Sequence, residues 1–279
     1  MRFTKVHGAG NDFVLIDARE FPDFDFVSVV PKICHRQVGV GADGILLVLN
    51  SDTCDIKMRI INSDGSEAEM CGNGIRAFAK YVYERGVIKS PSFDVETLAG
   101  VMRPELVIDD EGKVTAVRVD MGKPGIECED VPVQGEGQCL NRSLNVHGRR
   151  FTYSSVRTGV PVTAVPVEDP KTFDVLTYGP AIEHHAVFPE RTNVAFIKVV
   201  DRNNIEMRIW ERGAGPTLAC GTGSCGVAVI CALNGDTERS VDVHLELATL
   251  HIDWLENGTV MMTGPAELVY DGELHFLNP

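Results

Sequence analysis

The sequence predicts an α+β protein built as two copies of one unit, and three observations carry that expectation. The first is an internal repeat. Placing residue i over residue i+149 lays Met58-Arg59-Ile60 on Met207-Arg208-Ile209, Cys71-Gly72-Asn73-Gly74 on Cys220-Gly221-Thr222-Gly223, and Ala79 on Ala228, without a gap. Seven of the 22 positions from 58 to 79 are identical at that offset, which marks a duplicated supersecondary unit. The same offset lays Gly10-Asn11-Asp12-Phe13 over Gly159-Val160-Pro161-Val162, and the run after Asp43 over Val194-Ala195-Phe196-Ile197. The second observation is period-two patterning with turn residues between the runs, the signature of strands and hairpins. The third is that helix-like stretches are few and recur, one behind each Cys-Gly-x-Gly cassette, so the fold class is α+β rather than a doubly wound parallel sheet.

In chain order the pattern reads as a strand at 13–17, a helix over 31–36, and strands at 45–49 and 57–62. A helix over 74–85 follows the first cassette and is closed by Gly86, with strands at 92–97 and 113–120 behind it. The second copy gives a helix over 178–184, strands at 193–200 and 205–211, and a helix over 223–233 that follows the second cassette and ends at Gly235. Strands at 241–247, 251–255 and 259–264 complete it. No Rossmann fingerprint follows a strand. The region around Gly122 to Pro124 reads as the crossing between copies, and the tail lies beyond the repeat. The expected domains are 1–121 with 265–279, carrying Cys71, and 122–264, carrying Cys220.

A chain of 279 residues with 44% hydrophobic content is long enough for two domains with their own cores. A net charge of −14 argues against nucleic acid or an anionic membrane surface as partner, since both select for basic faces. The longest apolar runs, such as 45–49, are far too short to span a bilayer, and residues 1–17 have no apolar core of signal-peptide length, so the expected location is cytoplasmic. Eight cysteines without an export signal read as buried or reactive thiols rather than disulfides. No Cys-x-x-Cys occurs, and the eight histidines, His184-His185 included, have no metal-like spacing, so no metal is expected and solvated or capping roles suit the histidines.

The chemistry concentrates in the two cassettes. In each, a cysteine precedes glycines that expose bare backbone N–H groups, and a helix begins there, which makes an anion nest on a helix N-terminus. The positive helix end favours a thiolate and so is expected to lower the thiol pKa, while the N–H groups can hold a carboxylate. One such cassette is weak testimony, because a free cysteine is most often a small buried hydrophobe. Two in register suggest one carboxylate held between two helix ends, with a sulfur on each face of the α-carbon. One thiolate would remove the α-proton and the opposite thiol return one, with no cofactor required. The other six cysteines lack such surroundings: Cys225 and Cys231 fall in a helix, Cys34 in an apolar turn, and Cys54, Cys128 and Cys139 in polar segments. Asn11, beside the Gly8 and Gly10 turn, suits an amine contact.

Four segments resemble the signatures of the diaminopimelate epimerase family: the run from His7 to Phe13, the run from Asn62 to Gly74, Pro189-Glu190-Arg191-Thr192-Asn193, and the run from Glu211 to Gly223. The resemblance covers nearly the whole chain. It implies two pseudo-symmetric halves, each a mainly antiparallel or mixed sheet wrapped around a central helix, with the tail returning to the first half. It also implies pyridoxal-independent interconversion of LL- and meso-diaminopimelate, on the route to lysine and peptidoglycan precursors, by a homodimer. By position, Cys71 and Cys220 are the base and acid pair. Gly72, Asn73, Gly221 and Thr222 hold the reacting carboxylate, with Asn11 nearby. Asn62, Asn193, Glu211 and Arg212 grip the distal amino-acid end, where a guanidinium pairs with carboxylate and a carboxylate accepts ammonium.

Three positions depart from the commoner family pattern: Gly44 stands where many members have glutamine, and Val160 and Val162 where many have asparagine and histidine. The histidine is associated with tuning the cysteines, so Val162 leaves the helix dipoles and Glu211 to set protonation and implies a shifted pH optimum. The alternatives are another two-cysteine racemase, similar to those acting on histidine or proline, a redox-active dithiol protein, and a carboxylate-binding module. The four distal-end residues discriminate against the first, since a substrate without a second amino-acid head has little use for all of them. Thiols on both faces discriminate against the last.

Overall fold

The computed structural model describes residues 1–275; the last four positions of the tail expected in the first domain, 276–279, lie outside the described residues. The chain separates into two compact units, Met1–Val119 with the described residues from Gly264 on, and Asp120–Thr263. In the first unit β1 (Arg2–Gly8) and β2 (Asn11–Asp17) form an antiparallel hairpin through Ala9 at φ 55° and Gly10 at φ 91°. Two successive left-handed residues are what a two-residue hairpin loop demands, and glycine supplies one without strain. α1 (Phe26–Cys34) leads to β3 (Gly44–Leu49), parallel to β2 with Phe13 opposite Gly44. β4 (Ile56–Asn62) returns antiparallel to β3, and the short β5 (Glu67–Ala68) folds back on β4.

The chain then enters α2 (Gly72–Glu84), followed by β6 (Val95–Thr97) parallel to β4 and β7 (Gly100–Met102) antiparallel to β6. A hairpin of β8 (Glu105–Ile108) and β9 (Val114–Asp120) comes next. The final strand, Glu267–Glu273, lies antiparallel on the free edge of β1. The sheet curls about α2, which contacts the final strand and β1 to β4 and buries Ile75, Ala77, Phe78, Ala79 and Val82.

The second unit repeats this plan. β10 (Arg142–Val146) flanks β11 (Arg149–Thr158), which pairs antiparallel with β12 (Val160–Pro166). α3 (Val175–Glu183) precedes β13 (Asn193–Asp201), which is parallel to β12 with Val162 opposite Asn193. β14 (Asn204–Glu211), β15 (Gly215–Thr217), α4 (Gly221–Asn234), β16 (Ser240–His244), β17 (Thr249–Trp254) and β18 (Val260–Gly264) follow. α4 is the centre of an apolar cluster with Ile209, Val241, Val243, Leu250, Ile252 and Met262. Val162 opposite Asn193 is the 149-residue image of Phe13 opposite Gly44, so the repeat extends to strand register. One residue breaks it: the second hairpin turns through Gly159 alone, at φ 76°. The α+β class with two sheet-rich halves and few helices is the observed fold.

All four helices start earlier than the sequence predicts, α2 and α4 by two residues at 72 and 221, and α1 and α3 by more. α1 begins at 26 rather than 31 and α3 at 175 rather than 178, because the Asp25 and Asp174 carboxylates cap them by accepting the Ser28 and Thr177 backbone N–H groups. Pro31 and Pro180 sit at the same interior position of each, where a proline reads misleadingly as a start. The period-two reading gives no strand at β1, β8, β10, β11, β12 or the final strand, nor at the short β5, β7 and β15. β12 is buried at every interior position and so does not alternate, while the final strand is mostly exposed. Cys128 and Cys139, expected in polar surroundings, are core residues packed with Leu144, Phe151 and Tyr153. Cys34 is the last residue of α1, and burial raises its thiol pKa to about 11.

Candidate active site

In the first unit Cys71 is the N-cap of α2, extended at φ −142° and ψ 117°, and its Sγ accepts the Gly74 N–H at 3.4 Å. Gly72 and Asn73 are therefore the first two helical residues, whose N–H groups have no acceptor within the helix. The Cys71 thiol donates to Asn11 Oδ1 at 3.4 Å, and Asn73 Nδ2 donates to the same oxygen at 3.4 Å. Asn11 is oriented from behind, since its Nδ2 donates to Asp43 Oδ2 at 2.7 Å and its Oδ1 is left to face the thiol. Asn62 closes β4 and donates from Nδ2 to Ser66 Oγ at 3.0 Å.

An ion-pair network underlies the Asn11 turn. Lys5 Nζ lies 2.5 Å from Asp12, Arg36 lies 2.9 Å from Asp12 and 2.8 Å from Asp43, and Lys5 also donates to the Gly41 carbonyl. Burial pushes the Asp12 carboxyl up, but hydrogen bonds from Arg36 and Lys5 outweigh it and hold the pKa below the ordinary carboxylate value. Under the other side of the cassette lies Arg76, fully buried. It donates to the Gly72 carbonyl at 2.8 Å, to Asn73 Oδ1 at 2.9 Å and to the Pro265 carbonyl at 3.2 Å. Sequence reasoning overlooked Arg76; its signal is a lone arginine in the otherwise apolar first turns of a helix.

The second unit builds the same corner with different supports. Cys220 is the N-cap of α4 at φ −135° and ψ 109°, and its Sγ accepts the Gly223 N–H at 3.3 Å. Thr222 Oγ1 lies 3.3 Å from the sulfur, and Asn193 Nδ2 donates to it at 3.7 Å. Asn193 Oδ1 accepts the Arg212 N–H at 2.8 Å, so one amide links the thiol to the Arg212 turn. Glu211 ends β14 beside Cys220 and accepts the Thr217 hydroxyl. The Arg212 guanidinium donates to the Glu190 carbonyl at 2.9 Å and is otherwise exposed. The Thr158 hydroxyl donates to the Thr222 carbonyl at 2.7 Å, tying β11 to the first turn of α4. Gly221 packs under Met262, where a Cβ would come within 2.9 Å of the sulfur.

The expectation of a lowered thiol pKa is overturned for Cys220. Its side chain is buried, and burial together with the Glu211 carboxylate raises the thiol well above its ordinary value, against the smaller effects of Thr222 and the Gly223 N–H. One helix end does not offset desolvation plus an adjacent anion. Val162 is fully buried and packs against Gly226 of α4, where a Cβ would lie 2.8 Å from the valine.

The fold has relatives among solved structures at low sequence identity. A probable proline racemase from Agrobacterium radiobacter K84 superposes with a TM-score of 0.68 at 14% identity, over 100% of this chain and 93% of that one. A hydroxyproline epimerase from Agrobacterium vitis gives 0.67 at 16%, over 98% and 90%. A Bacillus anthracis phenazine biosynthesis protein of the PhzF family gives 0.67 at 18%, over 98% of both chains. The class of protein is thus defined by a duplicated α+β fold common to these racemase, epimerase and phenazine proteins, with a cysteine capping the central helix of each half of this chain.

Sequence comparison narrows the class. Residues 3–126 and 154–269 match the diaminopimelate epimerase family. Diaminopimelate epimerases from Pelotomaculum thermopropionicum and Desulfitobacterium hafniense are each 50% identical over 98% of both chains, and that from Heliobacterium modesticaldum is 48% identical over 98% of this chain and 99% of its own. The chain belongs to the diaminopimelate epimerase family.

Proposed function

We propose that the protein interconverts LL- and meso-diaminopimelate by a two-base mechanism in which Cys71 and Cys220 exchange a proton with the α-carbon, with no cofactor. The observation that carries this reading is the duplicated corner: in each unit a cysteine caps the central helix, its sulfur accepting a backbone N–H, with two further N–H groups at the helix start. One sulfur as thiolate takes the α-proton, becoming a thiol. The electron pair left on carbon spreads into the carboxylate held by the N–H groups of Gly72, Asn73, Gly221 and Thr222, and the other thiol delivers its proton to the opposite face. Cys220, whose proton is retained by burial and Glu211, is the donor, and Cys71 acts as base once it has given up the proton it shares with Asn11 Oδ1. Asn62, Asn193, Glu211 and Arg212 hold the distal amino-acid end, and Asn11 the reacting amine.

The substrate is tested by following LL-diaminopimelate, L-histidine and L-proline with the purified enzyme under reducing conditions. Conversion of diaminopimelate alone supports the reading, and inversion of histidine or proline in its place contradicts it. We further propose that the protein works as a cytoplasmic homodimer supplying lysine and peptidoglycan precursors. Sedimentation as the 30.5 kDa monomer would contradict the dimer.

A further inference from the structure

The second unit contains a buried carboxylate that the mechanism above does not use. Glu183 is 2% exposed and is the last residue of α3, where the negative end of the helix opposes an anion. Two unfavourable placements coincide in one side chain, so its oxygens need hydrogen-bond partners. Glu183 Oε2 accepts the Trp210 indole N–H at 2.7 Å, Oε1 accepts the Gly213 backbone N–H at 3.2 Å, and the Arg191 guanidinium lies 3.8 Å from Oε1. The indole is fixed in turn, lying on α3 at Gly179, where a Cβ would come 2.6 Å from the ring.

These partners fall in two segments, the Pro189 to Asn193 loop and the Trp210 to Gly213 stretch where β14 runs into its turn. The segments are cross-tied by the Arg212 N–H on Asn193 and the Arg212 guanidinium on the Glu190 carbonyl. Arg191 sits in the left-handed region at φ 62°, a conformation an arginine holds only when its surroundings impose it. In the first copy the images of Glu183 and Trp210 at the 149-residue offset are Cys34 and Ile61, both buried and apolar. The carboxylate and its indole donor thus belong only to the half that carries Arg212.

We propose that Glu183 is a positioning residue for recognition of the distal amino-acid head group, fixing the Arg212 turn and the Asn193 loop at the separation an α-amino acid requires. This inference rests on the proposed assignment of Arg212 and Asn193 to that head group. Glu183→Gln keeps the volume but turns one acceptor into a donor, so an amide N–H would confront either the Trp210 or the Gly213 N–H.

The test compares KM and kcat for LL-diaminopimelate in wild type, Glu183→Gln, Trp210→Phe, the double variant and Arg212→Lys, with thermal unfolding alongside. Glu183→Gln is expected to raise KM about tenfold, the effect of one buried donor left facing a donor, with a much smaller change in kcat. The double variant removes the competing indole N–H and is expected to recover most of the KM that Glu183→Gln loses. A Glu183→Gln enzyme that loses stability and kcat at unchanged KM, or a double variant no better than the single, overturns the proposal. Arg212→Lys separates the two layers. Raised KM there with an unaffected Glu183→Gln overturns the Glu183 role alone, whereas unchanged KM in Arg212→Lys overturns the head-group assignment and this inference with it.

Discussion

A Cβ on Gly8 would lie 2.7 Å from the backbone oxygen of Asn73, so β1 and the first turn of α2 meet at a distance only glycine permits. The corresponding strand end in the second unit carries Thr158, whose hydroxyl bridges to the Thr222 carbonyl at 2.7 Å. Each helix start is thus braced against a strand, by bare backbone contact in one copy and by a hydroxyl in the other. Gly8→Ala must displace the cassette, because the neighbouring Arg76 Nη2, 3.2 Å away, is itself buried and tied. Overpacking of this kind costs about 1–3 kcal/mol of stability. A misplaced catalytic group is more damaging, about a hundredfold in kcat/KM. Calorimetry and steady-state kinetics on the same variant check both, and wild-type kcat/KM would show that the contact does not position Cys71.

Asp12 is the counter-charge of Lys5, which is only 9% exposed. Asp12→Asn leaves that ammonium without its paired carboxylate and is expected to lower unfolding free energy by about 3–5 kcal/mol. The sign of the pH dependence follows from the depressed carboxyl pKa. Stability from Asp12 is present above the ordinary carboxylate pKa and lost as pH falls through the folded value. Denaturant titrations from neutral to acid pH should show the variant's deficit shrinking on acidification; a deficit constant with pH would refute the ionic account.

For Cys220 the relevant anion is Glu211. Its removal in Glu211→Gln takes away a cause that raises the thiol pKa, so the alkylation profile of Cys220 should move to lower pH. The measurement is the rate of iodoacetamide labelling at Cys220, read by mass spectrometry, across a pH series. An unchanged profile would show that Glu211 does not act on this sulfur, and a shift to higher pH would contradict the sign of its effect.

Val162 is buried against Gly226 of α4 rather than exposed to solvent. Val162→His therefore introduces a polar ring into a tight apolar contact and is expected to lose about 1–3 kcal/mol of stability, with a displaced pH optimum for kcat/KM. A pH–rate profile superimposable on that of wild type would remove Val162 from the list of groups that set cysteine protonation.

Much of this architecture was legible because duplication leaves a fixed offset. The cassettes at Cys71 and Cys220, their helices and the strands leading into them are visible as paired identities, whereas the capping of both helices by the cysteine sulfurs is not legible there and emerges from the structure. Asp25 with Pro31 and Asp174 with Pro180 obey the same offset, yet proline punctuation outweighed the caps in the reading of α1 and α3. What stayed hidden depends on tertiary contact. Arg76 reaches out to Pro265 across 189 positions, and Glu183 meets Trp210 across 27, so neither contact can be read from neighbouring residues. The raised Cys220 pKa has the same origin. Helix position is local and visible in sequence, whereas desolvation is set by the whole fold.

The most direct test of the two-thiol account is α-proton exchange in deuterated buffer, following LL-diaminopimelate by NMR with wild type, Cys71→Ala and Cys220→Ala under reducing conditions. The account predicts deuterium incorporation with inversion in wild type, and inversion slowed by about a hundredfold or more in each variant, the scale of losing a general acid or base. Inversion at the wild-type rate in either variant would contradict it.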